Sequence, residues 1–407
     1  MNNFSIKNVL KKNTMIIVMF VVYIFFVIMT NGVIFTESQF TALITQNAYV
    51  FVLGAGMLMC MLTGGNIDLS VGSFVCLVGA IAGVVSVIHM VNTPLTLLIL
   101  VGIGVLYGVI LGYLIAFLNI PPWIATLAGY LAFRGAGTEI LTSVSTTSAI
   151  SNFPADFLAI FSGRVFESPA GILNIPCLIF GVICIALVAV MNFTSRAGKV
   201  KKGYEAEPMG YVMGKTILEA AIIGLLTYKL AMDGGIPTVL VWVVAIMVFY
   251  SFICEKTVIG RHFMTVGGNA ETAKLSGINN KLVMFAAYLN MSVLTVLAAL
   301  IVTARFSSAN AFAGQNFEMD AIAACIVGGV SAYGGSGSIM GMVIGATLIG
   351  VIDQGMSLMQ IDQDWIKIVK GLVLLAAVVF EIVSKQGGNN PFKSIIEKFS
   401  KNKKQKK

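Results

Sequence analysis

The residues with the strongest claim to chemistry are polar groups set inside apolar sequence. Asp68 lies in GGNIDLSVGS, Gly64–Ser73, beside Asn66, Ser70 and Ser73. An ionisable group in an apolar segment is costly, so it either lines a polar path or holds a structural post. The structural post here is a cap: an Asp at such a break accepts backbone N–H bonds near Ser70 and Val71, and a cap at a gate can serve both ends. Asp320, Asp353 and Lys370 are further isolated charges in apolar segments. A proton-coupled carrier would need one of these carboxylates to titrate; otherwise such charges pair locally or reach the interface. Arg134 and Glu139 are close enough in sequence to pair and neutralise each other near the outer surface.

Enzymatic constellations are missing. His89 and His262 are the only histidines and lie far apart, which removes HExxH and most histidine-assisted nucleophiles. The nearest approach to a phosphate-binding loop is GYVMGKT, Gly210–Thr216, but Met209 stands where the first glycine must be and no strand precedes it. This chain is therefore expected to hold no cofactor, and ATP, if used, binds another polypeptide. Cys60, Cys76, Cys184, Cys254 and Cys325 lie in apolar segments and Cys177 near the start of one, without a CxxC pair, so neither a metal site nor a redox site is expected.

The elements that must position these groups are membrane helices. Of 407 residues, 57% are hydrophobic and 11% charged, against about 25% charged in soluble domains. Runs such as Leu95–Leu118 and Leu282–Ala304 are long enough to cross a bilayer. The expected fold is an all-α polytopic membrane protein with about 10–12 transmembrane or re-entrant helices. Twelve apolar segments with both termini inside put 20 of the 26 Lys and Arg in cytoplasmic segments. Met319–Tyr333 and Ile339–Ile352 are short and could be re-entrant instead, which gives about ten spans. Residues 1–384 form the membrane domain and 385–407 a basic cytoplasmic tail. The net charge of +8 sits in tails and loops, where it reports topology and not nucleic-acid binding.

Gly104, Gly108 and Gly112 recur at four-residue spacing, which lets helices approach closely. Each half also carries a glycine-interrupted segment, Gly64–Ser73 and Gly328–Gly341, a pattern that marks transporter permeation sites. Between the halves runs a polar cytoplasmic loop, 255–281. It is expected to contain one short helix capped by Asn269, with Glu271 in its first turn and Gly277 at its end. A helix of about two turns is unstable alone, so it is expected to dock against something.

LTGGNIDLSVGS (Leu62–Ser73), IGRHFMTVGGNAETAKLSGIN (Ile259–Asn279) and AIAACIVGGVSAYGGSGSIMGMVIGATLIGVIDQGMSLM (Ala321–Met359) resemble, in this order, permease subunits of bacterial ABC importers for monosaccharides. The insert with YEAEP, Tyr204–Pro208, is most similar to the xylose and multiple-monosaccharide branch. The resemblance implies a translocation subunit in the bacterial cytoplasmic membrane, a cytoplasmic ATP-binding cassette partner carrying ATP and Mg, an extracytoplasmic sugar-binding protein and a second permease copy. It implies that Glu271, Thr272, Ala273 and Gly277 form an EAA-xxx-G coupling pattern with Thr replacing Ala, within Gly267, Gly268, Asn269, Glu271, Ala273, Leu275, Ser276 and Gly277. Gly64, Gly65, Asn66, Asp68, Ser70, Gly72, Ser73, Gly334, Gly335 and Gly337 are the expected path or gate. The cargo expected from the resemblance is a neutral pentose or hexose; a nucleoside importer and a proton-coupled sugar carrier remain as alternative readings.

Overall fold

A computed structural model describes residues 14–204 and 208–385. The basic N-terminal segment with Lys7, Lys11 and Lys12, the Glu205–Glu207 part of the polar insert and the tail from 386 onward lie outside the described residues. The chain forms α1 (Thr14–Met29), α2 (Glu37–Leu62), α3 (Val71–Gly83, continued by a π turn to Ile88), α4 (Thr93–Ala116) and α5 (Pro122–Val144). A short excursion follows, with β1 (Ala149–Ser151), α6 (Ala155–Ser162) and β2 (Arg164–Val165). Next come α7 (Ile175–Lys201), α8 (Met209–Met232), β3 (Ile236–Pro237) and α9 (Thr238–Lys256). The chain ends with α10 (Val258–Gly268), α11 (Ala270–Leu275), α12 (Asn280–Phe306), β4 (Ser308–Asn310), α13 (Phe317–Val327), α14 (Ile339–Leu358) and α15 (Gln363–Lys385).

Helix starts follow local chemistry. Asn92, Asn174 and Asn279 each accept a bond from the backbone N–H three residues on, at 3.0, 3.0 and 3.2 Å, so a donor left over at the helix start is satisfied. Two antiparallel strand pairs, β1 with β4 and β2 with β3, tie the connections together at the end of the bundle opposite the 255–281 loop. The bundle is graded in burial. In α2 72% of the most apolar window is buried inside the protein, against 11% in α7 and in α8, whose apolar faces are left for lipid.

The core is an antiparallel pair, α2 and α12. Cys60 Sγ meets the Ala287 carbonyl at 3.6 Å, and Gly56 lies against Met291 and Leu294. The repeated glycines of α4 form its seam with α12: Gly104 faces Val296, Gly108 faces Leu289 and Gly112 faces Phe285. On the other side, Gly54 of α2 faces Met342 of α14, while Gly350 of α14 faces Asn47 of α2.

Two units are thus related by inversion, α2-α3-α4 and α12-α13-α14. In each, a long helix is followed by a non-helical stretch, a shorter helix antiparallel to the first, and a third helix parallel to the first. The matching links are 63–70 between α2 and α3 and 307–316 between α12 and α13. The expected partner of the first break, Gly328–Gly341, is therefore corrected: it touches that break but does not correspond to it. The two backbones had to be traced to see this.

Among the described residues, eight helices are long and apolar enough to cross a membrane. α5 and α15 are as long, 23 residues each, but more polar. Ile339–Ile352, read as short, belongs to a 20-residue helix reaching Leu358, because Asp353 and Gln354 are accommodated inside it. Met319–Tyr333 is not one helix: α13 is 11 residues long and gives way at Gly328 and Gly329 to a non-helical stretch of turns. The loop reading of 255–281 missed α10, whose buried face is Gly260, Phe263 and Val266. Its glycines and charges look like loop punctuation, yet its apolar residues recur at helical spacing.

A leucine at Gly108 would strike the Leu289 backbone, whose Cα is 2.8 Å from an added methyl, whereas Gly102 has open space. Gly108→Leu should cost at least about 2 kcal/mol of stability and lower the melting temperature in detergent by several degrees. Gly102→Leu should leave it unchanged; equal melting of the two variants would refute the α4–α12 seam.

Candidate functional site

The candidate residues separate into two clusters at different depths. The first is a backbone junction of three segments at the end of the bundle that carries α10 and α11. The chain leaving α2 meets the α10–α11 connection and the stretch between α13 and α14. Gly335 N donates to the Leu62 carbonyl at 3.1 Å. A methyl group on Gly267 would run into that same carbonyl oxygen and lie 2.7 Å from Gly335 N and 2.8 Å from Gly64 N. On Gly334 it would lie 2.5 Å from Gly64 Cα. Gly65 and Gly335 also have φ of +74°, which side-chain-bearing residues rarely adopt. Gly64, Gly65, Gly267, Gly268, Gly334 and Gly335 are thus brought together, and at Gly65, Gly267, Gly334 and Gly335 an added side chain would strike neighbouring backbone.

The second cluster lies where α3 and α13 begin. Tyr49, halfway along α2, stacks on Phe317 with ring centroids 3.6 Å apart, which puts the start of α13 at mid-bundle. The first turn of α3 abuts it: a methyl group on Gly72 would strike the Gly314 carbonyl and the Glu318 carboxyl. Two helix N-termini, pointing in opposite directions, therefore face each other inside the protein. A buried acid stands at each start, Asp68 three residues ahead of α3 at 1% exposure and Glu318 in the first turn of α13 at 3%. Asp68 Oδ1 accepts from Ser70 N at 2.9 Å and Ser70 Oγ at 2.6 Å, the capping geometry of an Asx turn. Its Oδ2, Glu318 Oε2 and Ser73 Oγ have no hydrogen-bond partner among the described residues.

Asn66 and Gly337 belong to neither cluster. Asn66 Nδ2 bonds Thr63 O at 3.0 Å and closes its own turn, and Gly337 packs on Val330. Glu318 and Gly314 were missed in the sequence. Residues 64–68 and 314–318 both read Gly-x-Asn-apolar-acid, a signal hidden by pairing the first break with the wrong glycine-rich stretch.

Arg134 does not pair with Glu139. Its Nη1 donates to the carbonyls of Ala311 and Ala313, at 3.2 and 2.7 Å. Five residues along a helix point the two side chains in different directions, and the chain returning from β4 offers unpaired carbonyls instead. The isolated charges do pair: Lys370 Nζ lies 2.6 Å from Asp320 Oδ1 and 3.1 Å from Asp353 Oδ1, and Tyr49 OH donates to Asp320 Oδ2 at 2.7 Å.

α11 sits beside the glycine junction. Asn269 caps it, accepting from Thr272 N at 2.9 Å, and Gly277 ends it with φ of +82°. Ser276 Oγ closes the last turn on the Thr272 carbonyl, and Asn280 Nδ2 bonds the Ala270 carbonyl at 2.7 Å, holding α11 against the start of α12. Ala273 is fully buried while Leu275 is 89% exposed, and Glu271 is exposed in the first turn. One face of the helix is docked and the other presented. Among the described residues no group of three or more His, Cys, Asp or Glu could hold a metal.

Residues 39–378 match the family described as branched-chain amino acid transport system / permease component. The xylose transport system permease protein XylH of Haemophilus influenzae is 34% identical over 387 residues, covering 94% of this chain and 99% of that protein. XylH of Escherichia coli is 32% identical over 375 residues, 91% and 92% of the two chains. The ribose import permease protein RbsC of Haemophilus influenzae is 31% identical over 365 residues, 88% and 90%. No solved structure matches significantly. The chain therefore belongs to the family of ABC-importer permease components that includes these sugar permeases, as a multi-pass membrane subunit that is not itself an enzyme.

Proposed function

We propose that this chain translocates a neutral monosaccharide into the cell, with a pentose first among candidates, and that α10 and α11 couple it to a cytoplasmic ATPase. The observation that carries the reading is the glycine junction: the helix offered for docking is continuous with backbone that touches both broken segments. A displacement of α11 cannot leave Gly64–Gly65 and Gly334–Gly335 where they are, since the backbones are already in van der Waals contact. The relatives named for xylose and ribose support a pentose cargo. ATP and Mg belong to the partner ATPase, an extracytoplasmic binding protein delivers the sugar to the strand-bearing end, and a second permease copy completes the membrane unit. Residues 1–384 are the transmembrane domain in this reading, and both termini are cytoplasmic.

Reconstitution tests the function directly. Liposomes holding this chain with its ATPase, ATP inside and binding protein outside should accumulate a pentose or hexose only when all parts are present. Accumulation of nucleosides alone would replace the cargo, and uptake by the isolated chain on a proton gradient would overturn the mechanism.

Coupling is tested at two residues. Charge reversal at Glu271 combined with Gly277→Pro should abolish sugar uptake while the permease still folds and inserts, because one change opposes the helix dipole and the other removes a backbone conformation. Wild-type uptake by this variant would defeat the assignment of α11.

Sidedness is tested by labelling. Five of the six native cysteines are buried, so an impermeant maleimide has little background. Leu275→Cys should label only from the cytoplasmic side and Met90→Cys, at an 85% exposed position in the α3–α4 turn, only from outside. The opposite pattern would invert the topology.

A further inference from the structure

We propose that the pocket at the start of α13 is a transit site sized for one neutral monosaccharide. The inference rests on the import reading above and adds the place where the permease itself holds the sugar. The pocket has a volume of about 270 Å³ and is walled by α2, α12, α13, α14 and α15. At about 30 Å³ per water that is room for roughly nine waters, enough to take a single pyranose or furanose ring.

Its charges are balanced. Asp320 and Asp353 supply two carboxylates, Lys370 and Arg305 two cations, and the remaining lysine in the wall, Lys367, is paired with Asp364 at 2.9 Å. Such a lining favours neither an anion nor a cation, yet it is dense in donors and acceptors, which is what a neutral polyol requires. The side chains of Gln46, Gln315 and Gln363 line the pocket and make no hydrogen bond among the described residues. Arg305 makes no ion pair or hydrogen bond there either, its guanidinium lying 4.7 Å from the Phe306 ring centroid. These groups are uncommitted to the fold. The stacked rings of Tyr49 and Phe317 add the flat apolar surface on which a sugar's C–H face can rest.

The inverted partner of this region shows that the architecture does not demand such polarity. Ser70, the residue just before α3, bonds Tyr107 of α4 at 2.6 Å. Tyr107, Phe74 and Phe133 then close that seam with ring centroids 4.5 to 5.1 Å apart. Where α3, α4 and α5 are sealed by aromatics, α13, α14 and α15 hold a charged, hollow seam. A second cavity of about 220 Å³ shares Asp320 and Lys370 and continues beside α13 past Met319 and Ala323. The ion triad thus stands between two cavities, where parting it would join them.

The test uses Gln363→Cys in the full permease in nanodiscs, labelled by a small impermeant maleimide. D-xylose or D-ribose at tens of millimolar should slow labelling severalfold. In the complete liposome system, Gln46→Leu and Gln363→Leu should each reduce sugar uptake roughly five- to tenfold, the effect of one lost hydrogen bond, with binding-protein-stimulated ATP hydrolysis retained. Unslowed labelling together with normal uptake by both variants would overturn the site while leaving the import reading intact. Failure of the wild-type system to take up any sugar would overturn the import reading and the site with it.

Discussion

Backbone that leaves a helix inside a bilayer must find its hydrogen bonds within the protein, because lipid offers none. The chain interrupts its helices at 63–70, 307–316 and 328–338, and the structure meets that constraint by bringing these stretches into contact with neighbouring backbone. Leu62 O, exposed by the end of α2, receives Gly335 N from the second half. Gly328 and Gly341 approach so closely that neither could carry a side chain without backbone movement. Arg134 crosses from α5 to satisfy the carbonyls of Ala311 and Ala313, where the chain dips back toward α13. Without these contacts the buried non-helical segments would leave polar groups unpaired at a cost of several kcal/mol each.

The same solution produces a mechanical connection. Ordinary loops on a membrane protein can move without consequence for the core. Here the connection between α10 and α11 is part of the junction, since Gly267 lies between Leu62 and Gly335. The glycines therefore have two consequences: they permit close packing, and they remove the compliance that side chains would introduce. α11 presents Leu275 and Glu271 outward from a base anchored by Ala273 and Asn280.

Inversion also explains where charge is tolerated. Both shorter helices start at mid-bundle with an acid near the first turn, where the helix dipole offsets part of the desolvation cost. The halves then diverge. The first is closed by Ser70, Tyr107 and neighbouring rings, and the second carries the Asp320–Lys370–Asp353 triad beside a polar cavity. A shared framework with unequal filling gives one side of the molecule rigidity and the other room.

By itself the sequence determined the class, because apolar runs of span length and scarce charge admit few soluble alternatives. It also located the helix behind Asn269 and Gly277, and the caps of Asp68, since capping depends on residues only a few positions apart. Family membership was legible in the three motifs, from Leu62, Ile259 and Ala321 onward. It left α10 unseen behind its glycines, joined Arg134 to the wrong partner and matched Gly64–Ser73 with Gly328–Gly341. Only tertiary structure decided those points, and the physical reason is the same in each. Which backbone carbonyl lies near Arg134, which glycines touch, and which of three isolated charges share a proton's distance all depend on the antiparallel packing of α2 with α12, whose partners are more than two hundred residues apart in the chain. Local spacing encodes where a helix can begin or end; it does not encode what that end will meet.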